Sequence, residues 1–297
     1  MTAIVLLDKY SLNEYITTEF PPNYEYEGKV AYIPENIELS IENLLELLLI
    51  YSANDAAYIS AIAVSENVDD FIYLMNNKAK AFGMNDTNFL NPDGMDEENH
   101  YTTLNDLLKL TIKAVEKNEI VALVSKAKFV ANITGKEQIY NSTNLLLEEG
   151  FIGLKTGWTD KAGLTFIGLN QNANREILTI VNKSKVDEKK YTHFSDTKLL
   201  YKSSIETYKD YKIINKNQNI YILRNSTSAN EVKSKIDWIA FVNISKIYKI
   251  KLTEYYDNKI IFTYSKYNQS FKILDTNNKI KWNFNPLKLF KINANQY

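Results

Sequence analysis

Apolar residues change their spacing along the chain, and this change limits the folds that it can adopt. In the first part they recur every three or four residues, which is typical of helices packed on a core. The segment "SIENLLELLLIYSANDAAYISAIAV" predicts one helix that Ser40 caps, and "VDDFIYLMNNKAKAFGM" predicts a second that Gly83 ends. A third helix is predicted to begin at Thr103 in "TTLNDLLKLTIKAVEKN".

In the second part the pattern becomes strand-like. The runs "KAKFVANI", "KTGWT", "GLTFIGLNQ" and "REILTIVNKS" predict strands, "NQNANR" predicts a hairpin turn, and "SDTKLLYKSSIETYK" predicts a closing helix. Helices followed by antiparallel strands indicate the α+β class. Beyond them, short alternating runs separated by Asn, Asp and Ser predict a small all-β domain. We therefore expect one domain over 1–205 and a second, β-rich accessory domain over 206–297.

Composition excludes several classes of protein. Lys and Arg total 35 against 36 Asp and Glu, so the charge of −1 argues against a nucleic-acid partner. Without cysteine the chain has no disulfide, thiol catalysis or cysteine-based zinc site. The segment "NPDGMDEENH" offers oxygen ligands but lacks the spacing of a calcium-binding loop. We expect no metal site and no cofactor.

Neither a signal peptide nor a membrane-spanning helix is predicted, because no segment has the required length and composition. The tail "NPLKLFKINANQY" has two interpretations. It is a short amphipathic helix, with Asn285 as its cap and Pro286 in its first turn, that touches a membrane surface, or it is a frayed terminus. The second interpretation is favoured.

The stretch "GFIGLKTGWTDKAG" carries three chemical functions on one predicted strand. Lys155 is a fixed cation, Thr156 is a hydroxyl donor, and Gly157 lets a ligand lie against the strand, with Trp158 following. Such a strand can bind a peptide edge to edge while it holds the terminal carboxylate of the peptide. The tripeptide alone is weak evidence, since a strand with an exposed lysine explains it equally well.

A second candidate element is Ser52-Ala53-Asn54. A Ser-x-Asn triplet is nearly uninformative alone, because the chain has five of them, beginning at Ser11, Ser52, Ser65, Ser142 and Ser228. The triplet at Ser52 stands out because it follows an apolar helical segment and precedes small residues that allow close helix packing. We regard the other four as chance matches.

In this order, about a hundred residues apart, the two elements resemble motifs of the serine D-alanyl-D-alanine carboxypeptidases, low-molecular-mass penicillin-binding proteins of the peptidase S11 family. The segments "LSIENLLELLLIYSANDAA", "MNNKAKAFGMNDTNFLNPDGMDEENHYTTLNDLLKL", "YNSTNLL" and "GLKTGWTDKAG" extend the resemblance over about residues 1–205. The resemblance implies a serine β-lactamase/DD-peptidase-like fold, an antiparallel sheet with helices on both sides. The β-rich remainder fits the accessory domain of the family in position only.

The resemblance also implies a chemistry and its residues. The family trims peptidoglycan stem peptides in the cell envelope through a covalent serine ester, and β-lactams acylate the same serine. Ser52 would pass a proton toward the leaving D-alanine, and Asn54 would hold the substrate amide. Lys155 and Thr156 would bind the terminal carboxylate, and the backbone N–H of Trp158 would be one oxyanion donor.

The first motif of the family, Ser-x-x-Lys, has no counterpart upstream of Ser52. In the family a stretch much like "MTAIVLLDKY" follows that lysine directly, so we expect the nucleophile segment and the export signal to be missing from this sequence. Two Ser-x-x-Lys matches, Ser125–Lys128 and Ser195–Lys198, come in the wrong order and lack the apolar helix. The histidines, His100 and His193, do not complete a Ser-His-Asp triad.

Three hypotheses remain open from the sequence. The favoured one is an active exported carboxypeptidase represented by a truncated sequence, and the others are a catalytically inactive protein that binds peptidoglycan peptides or a partner, and a serine β-lactamase. The β-lactamase is least favoured, since no Glu-x-x-x-Asn loop is found. A further departure lies near the carboxylate site, where the family carries an arginine. A loose alignment puts Thr192 there, with Lys189 and Lys190 nearby.

Overall fold

The computed structural model describes residues 1–172, 175–186 and 191–214 and, beyond these, only the strands given below. Side chains are described for residues 1–171, 176–186 and 191–207. The chain divides into two compact units, Met1–Tyr201 and Lys202–Tyr297. The assignment of two domains over 1–205 and 206–297 stays a prediction.

The first unit begins with helices, as the apolar spacing predicts. The helices are α1 (Thr2–Leu7), α2 (Ile41–Glu46), a π-helical turn (Leu47–Tyr51), α3 (Asn54–Ser65), α4 (Val68–Ala81), α5 (Leu104–Val115), α6 (Asn118–Val124), a 3-10 turn (Leu147–Glu149) and α7 (Thr192–Thr207). The predicted caps are confirmed, because the hydroxyls of Ser40 and Thr103 accept from the backbone N–H of Asn43 and Asp106. Gly83 follows α4 with φ +74°, as a helix-ending glycine does.

Antiparallel strands complete this unit, so the α+β class is confirmed. They are β1 (Tyr15–Thr17), β2 (Glu38–Ser40), β3 (Lys128–Asn132), β4 (Glu137–Asn141), β5 (Phe151–Thr159), β6 (Gly163–Asn172) and β7 (Arg175–Ser184). Strands β5, β6 and β7 form one sheet in that order, whereas β1 pairs with β2 and β3 with β4. The predicted hairpin is present, since β6 and β7 are antiparallel neighbours. Helix α6 and strands β1, β2 and β4 were not predicted.

The prediction of one continuous helix over 40–64 is wrong. The α-helical backbone gives way to a π-helical turn at Leu47, and Ser52 leaves the helix with φ +68° and ψ +44° before α3 begins. Apolar residues keep their helical spacing across this break because both helices bury one face in the same core. No glycine or proline marks the break, so the local sequence does not reveal it.

The core of the first unit is built mainly from α1, α2, α3 and α6. Leu6, Leu44, Ile59 and Leu123 are each at most 1% exposed and belong to one apolar cluster. Burial of each such side chain stabilises the fold by about 1.5–3 kcal/mol. Helix α1, at the start of the chain, is thus largely buried, and the core fixes the helix ends that carry Ser52 and Asn54.

The second unit contains short antiparallel strands, in agreement with the predicted all-β character. They are β8 (Tyr208–Ile214), β9 (Asn219–Arg224), β10 (Ala229–Lys233), β11 (Trp238–Asn243), β12 (Lys251–Tyr256), β13 (Lys259–Ser265) and β14 (Lys272–Ile273). Strand β8 pairs with β11, β9 with β10, and β13 lies between β12 and β14. The tail predicted to begin at Asn285 lies outside the described residues.

Among the helices that the structure describes, none combines the length and apolar character needed to cross a bilayer.

Candidate active site

Ser52 stands where the π-helical turn meets α3, and its backbone is in the left-handed region. The N–H of Ala53 donates to the carbonyl of Leu47 at 2.9 Å, so the break is tied back to the turn before it. A non-glycine residue in this region is uncommon and costs about 1–2 kcal/mol, and such conformations concentrate at functional sites. The local fold therefore turns the Ser52 side chain out of the helix.

Lys155 meets Ser52 although 103 residues separate them in the sequence. The Nζ of Lys155 donates to Ser52 Oγ at 2.5 Å and to the carbonyl of Thr156 at 2.8 Å. Lys155 lies on β5, where the pairing with β6 shifts register between Gly153 and Lys155. The structure thus brings together the two elements that the sequence singled out.

The charge of Lys155 is destabilised in the free protein. Burial of the ammonium, helped by repulsion from Lys29, lowers the pKa of Lys155 from 10.5 to about 7. None of the described ion pairs includes Lys29. Its Nζ lies 4.0 Å from the centre of the Tyr51 ring. Burial also lowers the pKa of Lys29. A bound anion would stabilise both ammonium groups, so this end of the site favours an anionic ligand.

The hydroxyl of Thr156 is positioned by a residue that was not predicted from the sequence. Thr156 Oγ1 and Thr143 Oγ1 are 2.6 Å apart, and the N–H of Thr143 donates to the carbonyl of Ile50 at 3.2 Å. Thr143 is the middle residue of the Ser-x-Asn triplet that begins at Ser142, which by sequence alone is a chance match. The resemblance of "YNSTNLL" to the family marked this segment in the sequence, but it assigned no role to Thr143.

Asn54, at the start of α3, is held by a second unpredicted element, the loop 27–29. Its side-chain amide donates to the carbonyl of Glu27 at 3.0 Å, and its backbone N–H donates to the carbonyl of Lys29 at 2.7 Å. Gly28 has φ +68°, and a Cβ there would lie 2.5 Å from Asn54 Nδ2. Gly28 is the first glycine in the sequence. Because glycine permits a positive φ and close approach of other groups, its presence was the feature that could have marked this position.

We expect Gly28→Ala to lower the free energy of unfolding by about 2 kcal/mol, because the new Cβ adds a clash with Asn54 to the strain of a positive φ. Gly83→Ala is the matched control. Gly83 has a similar φ of +74°, but a Cβ there would meet no atom within 4 Å, so only the strain of about 1 kcal/mol applies. Urea unfolding measures both variants, and equal losses would contradict a close contact between Gly28 and Asn54.

The loop that reaches Asn54 is anchored by Asp55, whose side chain is fully buried. Its carboxylate accepts from the N–H of Ala31 at 3.1 Å and from the N–H of Ile33 at 3.0 Å. Burial raises the pKa of Asp55, and these hydrogen bonds oppose the shift. Asp55 therefore connects the start of α3 to the loop that holds its neighbour Asn54.

Beyond Thr156, strand β5 continues as the outer strand of its described three-stranded sheet. A Cβ at Gly157 would lie 2.6 Å from Thr165 Oγ1, so no larger residue fits there without a shift. Trp158 is 49% exposed. The end of the strand is fastened to Asp96, which accepts from Thr159 Oγ1 at 2.8 Å and from the N–H of Lys161 at 2.9 Å.

The arrangement agrees with a comparison of the whole chain with known proteins. Residues 3–186 match the model of Peptidase_S11, D-alanyl-D-alanine carboxypeptidase, and this match covers more than half of the chain. The chain belongs to the S11 family of D-alanyl-D-alanine carboxypeptidases.

Two curated relatives show how much of an S11 protein is represented. The D-alanyl-D-alanine endopeptidase of Escherichia coli is 33% identical over 215 residues, which cover 70% of this chain and 68% of the relative. The D-alanyl-D-alanine carboxypeptidase DacF of Bacillus subtilis is 26% identical over 194 residues, which cover 62% of this chain and 48% of the relative. The chain thus spans about half to two thirds of these two proteins.

Solved structures agree with the S11 assignment. Penicillin-binding protein D2 from Listeria monocytogenes, in its cefotaxime-bound form, superposes with a TM-score of 0.57 at 28% identity, covering 67% of this chain and 83% of that one. Penicillin-binding protein 6B from E. coli superposes with a TM-score of 0.69 at 19% identity, covering 93% of this chain and 84% of that one. The second likeness is one of fold.

Neither serine of the two Ser-x-x-Lys matches, and neither histidine, has a described hydrogen bond to the Ser52–Lys155 pair of this S11 chain. The Ser125 hydroxyl donates to the carbonyl of Val121 at 2.6 Å within α6, and Ser195 lies in α7. His193 is buried against Phe194. His100 is half-buried because it packs on Phe89, and burial lowers its pKa.

At the position expected for the arginine of the family, the described residue is Thr192, which provides no cation in its place. The Thr192 hydroxyl donates to the carbonyl of Lys185, the residue that follows β7. Lys189 and Lys190 lie outside the described residues. In the part of the chain with described side chains, the cations at the site are Lys155 and Lys29.

Proposed function

We propose that the chain binds the D-alanyl-D-alanine end of peptidoglycan stem peptides and takes part in removing the terminal D-alanine by serine acyl transfer. The observation that carries this proposal is the 2.5 Å contact between Lys155 Nζ and Ser52 Oγ. It joins the Ser-x-Asn and Lys-Thr-Gly elements into one site. Membership of the S11 family supports the reaction class.

The site residues take distinct roles in this proposal. Lys155 and the hydroxyl of Thr156 bind the terminal carboxylate of the peptide, since a cation and a donor lie side by side. Ser52 passes a proton toward the amine of the leaving D-alanine. Asn54 holds the amide on the other side of the scissile bond, and the backbone N–H of Trp158 faces the developing oxyanion.

The chemistry is a two-step transfer. A serine oxygen attacks the carbonyl of the penultimate D-alanine, the peptide C–N bond breaks, and D-alanine leaves with the proton that Ser52 delivers. Water then hydrolyses the serine ester. In the family the Ser-x-x-Lys motif supplies this nucleophile and its base, and neither Ser125 nor Ser195 has a described hydrogen bond to the Ser52–Lys155 pair.

The biological setting follows from the same proposal. The substrate places the protein in the cell envelope, and β-lactams, which bear a carboxylate beside a strained amide, act as acylating inhibitors where the nucleophile is present. The proposal extends to an accessory role for the β-rich unit and, as the less favoured of the two interpretations of the carboxyl-terminal tail, to contact of that tail with a membrane surface.

The test separates binding from turnover. We expect an N-acetylated peptide ending in D-Ala-D-Ala to bind in calorimetry, and the same peptide ending in L-Ala-L-Ala not to bind. Release of D-alanine, followed with D-amino-acid oxidase, would establish a carboxypeptidase, whereas binding without release would establish the catalytically inactive alternative. If fluorescent penicillin labels the chain, peptide mapping identifies the nucleophile. Absence of both binding and release would refute the proposal.

A further inference from the structure

The segment 142–144 lies between two elements of the candidate active site, the π-helical turn and strand β5. The N–H of Thr143 donates to the carbonyl of Ile50, in the π-helical turn, at 3.2 Å. The hydroxyl oxygen of Thr143 lies 2.6 Å from that of Thr156, which follows Lys155 on β5. The proposed reaction gives this segment no task, although it contacts both elements.

Asn144 fixes the segment against β5. Asn144 is 8% exposed, and its side-chain amide donates to the carbonyl of Phe151 at 2.9 Å. A Cβ at Gly153 would clash with the Asn144 side chain, so the glycine allows this close approach. The place of Thr143 beside Thr156 is therefore set by the fold and does not depend on a ligand.

Both hydroxyl protons are used within the protein. The Thr156 hydroxyl donates to Thr143 Oγ1, and the Thr143 hydroxyl donates to the carbonyl of Ile50 at 3.4 Å. A hydroxyl has one proton, so Thr156 offers only lone pairs to a ligand in this arrangement. An ionised carboxylate is an acceptor alone. It therefore gains no hydrogen bond from Thr156 until the proton of Thr156 is turned.

The hydrogen bond between the two threonines can be reversed at little cost. If Thr143 turns its proton to Thr156, the two oxygens stay in contact and the Thr156 proton becomes available to a ligand. The bond given up joins the Thr143 hydroxyl to the Ile50 carbonyl, and at 3.4 Å it is long for a hydroxyl donor. The carbonyl keeps the N–H of Thr143 as its partner, so it is not left without a hydrogen bond.

We propose that Thr143 is a positioning residue that reverses this hydrogen bond when a carboxylate binds, so that Thr156 donates to the ligand and Thr143 donates to Thr156. The inference rests on the proposed function for the identity of the ligand, the terminal carboxylate of the peptide. Hydroxyls that donate in the same direction polarise each other, and the negative charge at the end of the chain strengthens both bonds. Thr143 thereby takes part in carboxylate recognition without touching the ligand.

Removal of the Thr143 hydroxyl tests the inference. A bound peptide shields the Thr156 oxygen from water, so in Thr143→Val that oxygen lacks a donor. The dissociation constant of the D-Ala-D-Ala peptide, measured by calorimetry, should rise at least about threefold, as expected for one lost hydrogen bond. Thr143→Ser, which keeps the hydroxyl, should restore the wild-type value. The control Thr102→Val interrupts a similar pair, in which Thr102 Oγ1 and Thr87 Oγ1 lie 2.8 Å apart, and should leave the affinity unchanged.

The background Thr156→Val shows whether Thr143 acts through Thr156. Without the Thr156 hydroxyl there is no proton to turn toward the ligand, so adding Thr143→Val should weaken binding no further. A general effect of Thr143 on the fold would persist in this background. A further loss as large as that in the wild-type background would overturn the inference.

A second carboxylate separates the two proposals. Peptide binding that Thr143→Val leaves intact would overturn the reversal alone and leave the proposed function standing. If the wild type binds no peptide, the proposed function fails, and sodium acetate decides the reversal independently. At constant ionic strength, acetate should shift the methyl NMR signals of labelled Thr143 and Thr156 but not that of Thr102. An unchanged Thr143 signal in the wild type would overturn the reversal.

Discussion

Lys155→Met is expected to weaken binding of the D-Ala-D-Ala peptide by at least about a hundredfold. The substitution keeps much of the aliphatic length of the side chain but removes the ammonium that contacts Ser52 and, in the proposal, the ligand carboxylate. Loss of one partner from a buried charge pair costs about 2–5 kcal/mol of binding free energy. Calorimetric titration of the variant and the wild type measures the ratio of dissociation constants.

The control for this prediction is Lys161→Met. Lys161 follows the same strand and has an exposed side chain, and its backbone N–H donates to Asp96. The control should bind the peptide with nearly unchanged affinity, because an exposed lysine contributes little. Equal affinity of Lys155→Met and wild type would show that the carboxylate is bound elsewhere.

The pH dependence of binding follows from the same lysine. Since the pKa of Lys155 is about 7, its ammonium is largely present below that pH and lost above it. Affinity for the peptide carboxylate should therefore fall as pH rises through about 7, and the variant Lys155→Met should not show this fall. A flat profile in the wild type across this range would contradict the lowered pKa.

The stability of the ligand-free protein should have the opposite dependence. The unfolded chain keeps the Lys155 proton up to its ordinary pKa of 10.5, whereas the folded protein releases it near 7. Between these values the unfolded state binds more protons, so the free energy of unfolding contributed by this group rises with pH. Urea unfolding at several pH values measures the slope, and Lys155→Met should reduce it.

Asp55→Ala is expected to have the largest effect on folding, with a loss of about 3–5 kcal/mol in the free energy of unfolding, since each buried donor left without a partner costs about 1–3 kcal/mol. The buried carboxylate accepts hydrogen bonds from the N–H groups of Ala31 and Ile33, and its removal leaves both donors without their partner. The loop 27–29 that holds Asn54 would lose its anchor. We therefore also expect weaker peptide binding under conditions where the variant is folded.

Asp69→Ala is the matched control for Asp55. Asp69 also lies in the first turn of a helix, but its side chain is exposed. Its removal should cost at most about 0.5 kcal/mol, which is the usual range for a surface position near a helix start. Should Asp55→Ala unfold at the same urea concentration as Asp69→Ala, the carboxylate would not be the anchor of the loop.

Much of the candidate site could be predicted because its residues occur in recognisable segments. Lys155, Thr156 and Gly157 are consecutive on one predicted strand, and Ser52 and Asn54 come after a strongly apolar helical segment. Thr143 and Gly28 were not predicted as site residues. Each acts through a contact with a residue that is distant in the sequence, Thr156 or Asn54, and no local pattern records such a contact.

Local sequence was sufficient to predict the α+β class, the helix starts at Ser40 and Thr103, and the resemblance that the family match confirmed. These depend on propensity and on periodicity, which a single segment displays. The break of the helix at Ser52 could be identified only from the folded chain. Packing and hydrogen bonds to distant residues offset the cost of the left-handed backbone there, and neither is visible in the local sequence. The contact between Lys155 and Ser52 also required the folded chain. The two residues belong to separate segments, and side chains from separate segments acquire a shared electrostatic environment only when the chain folds.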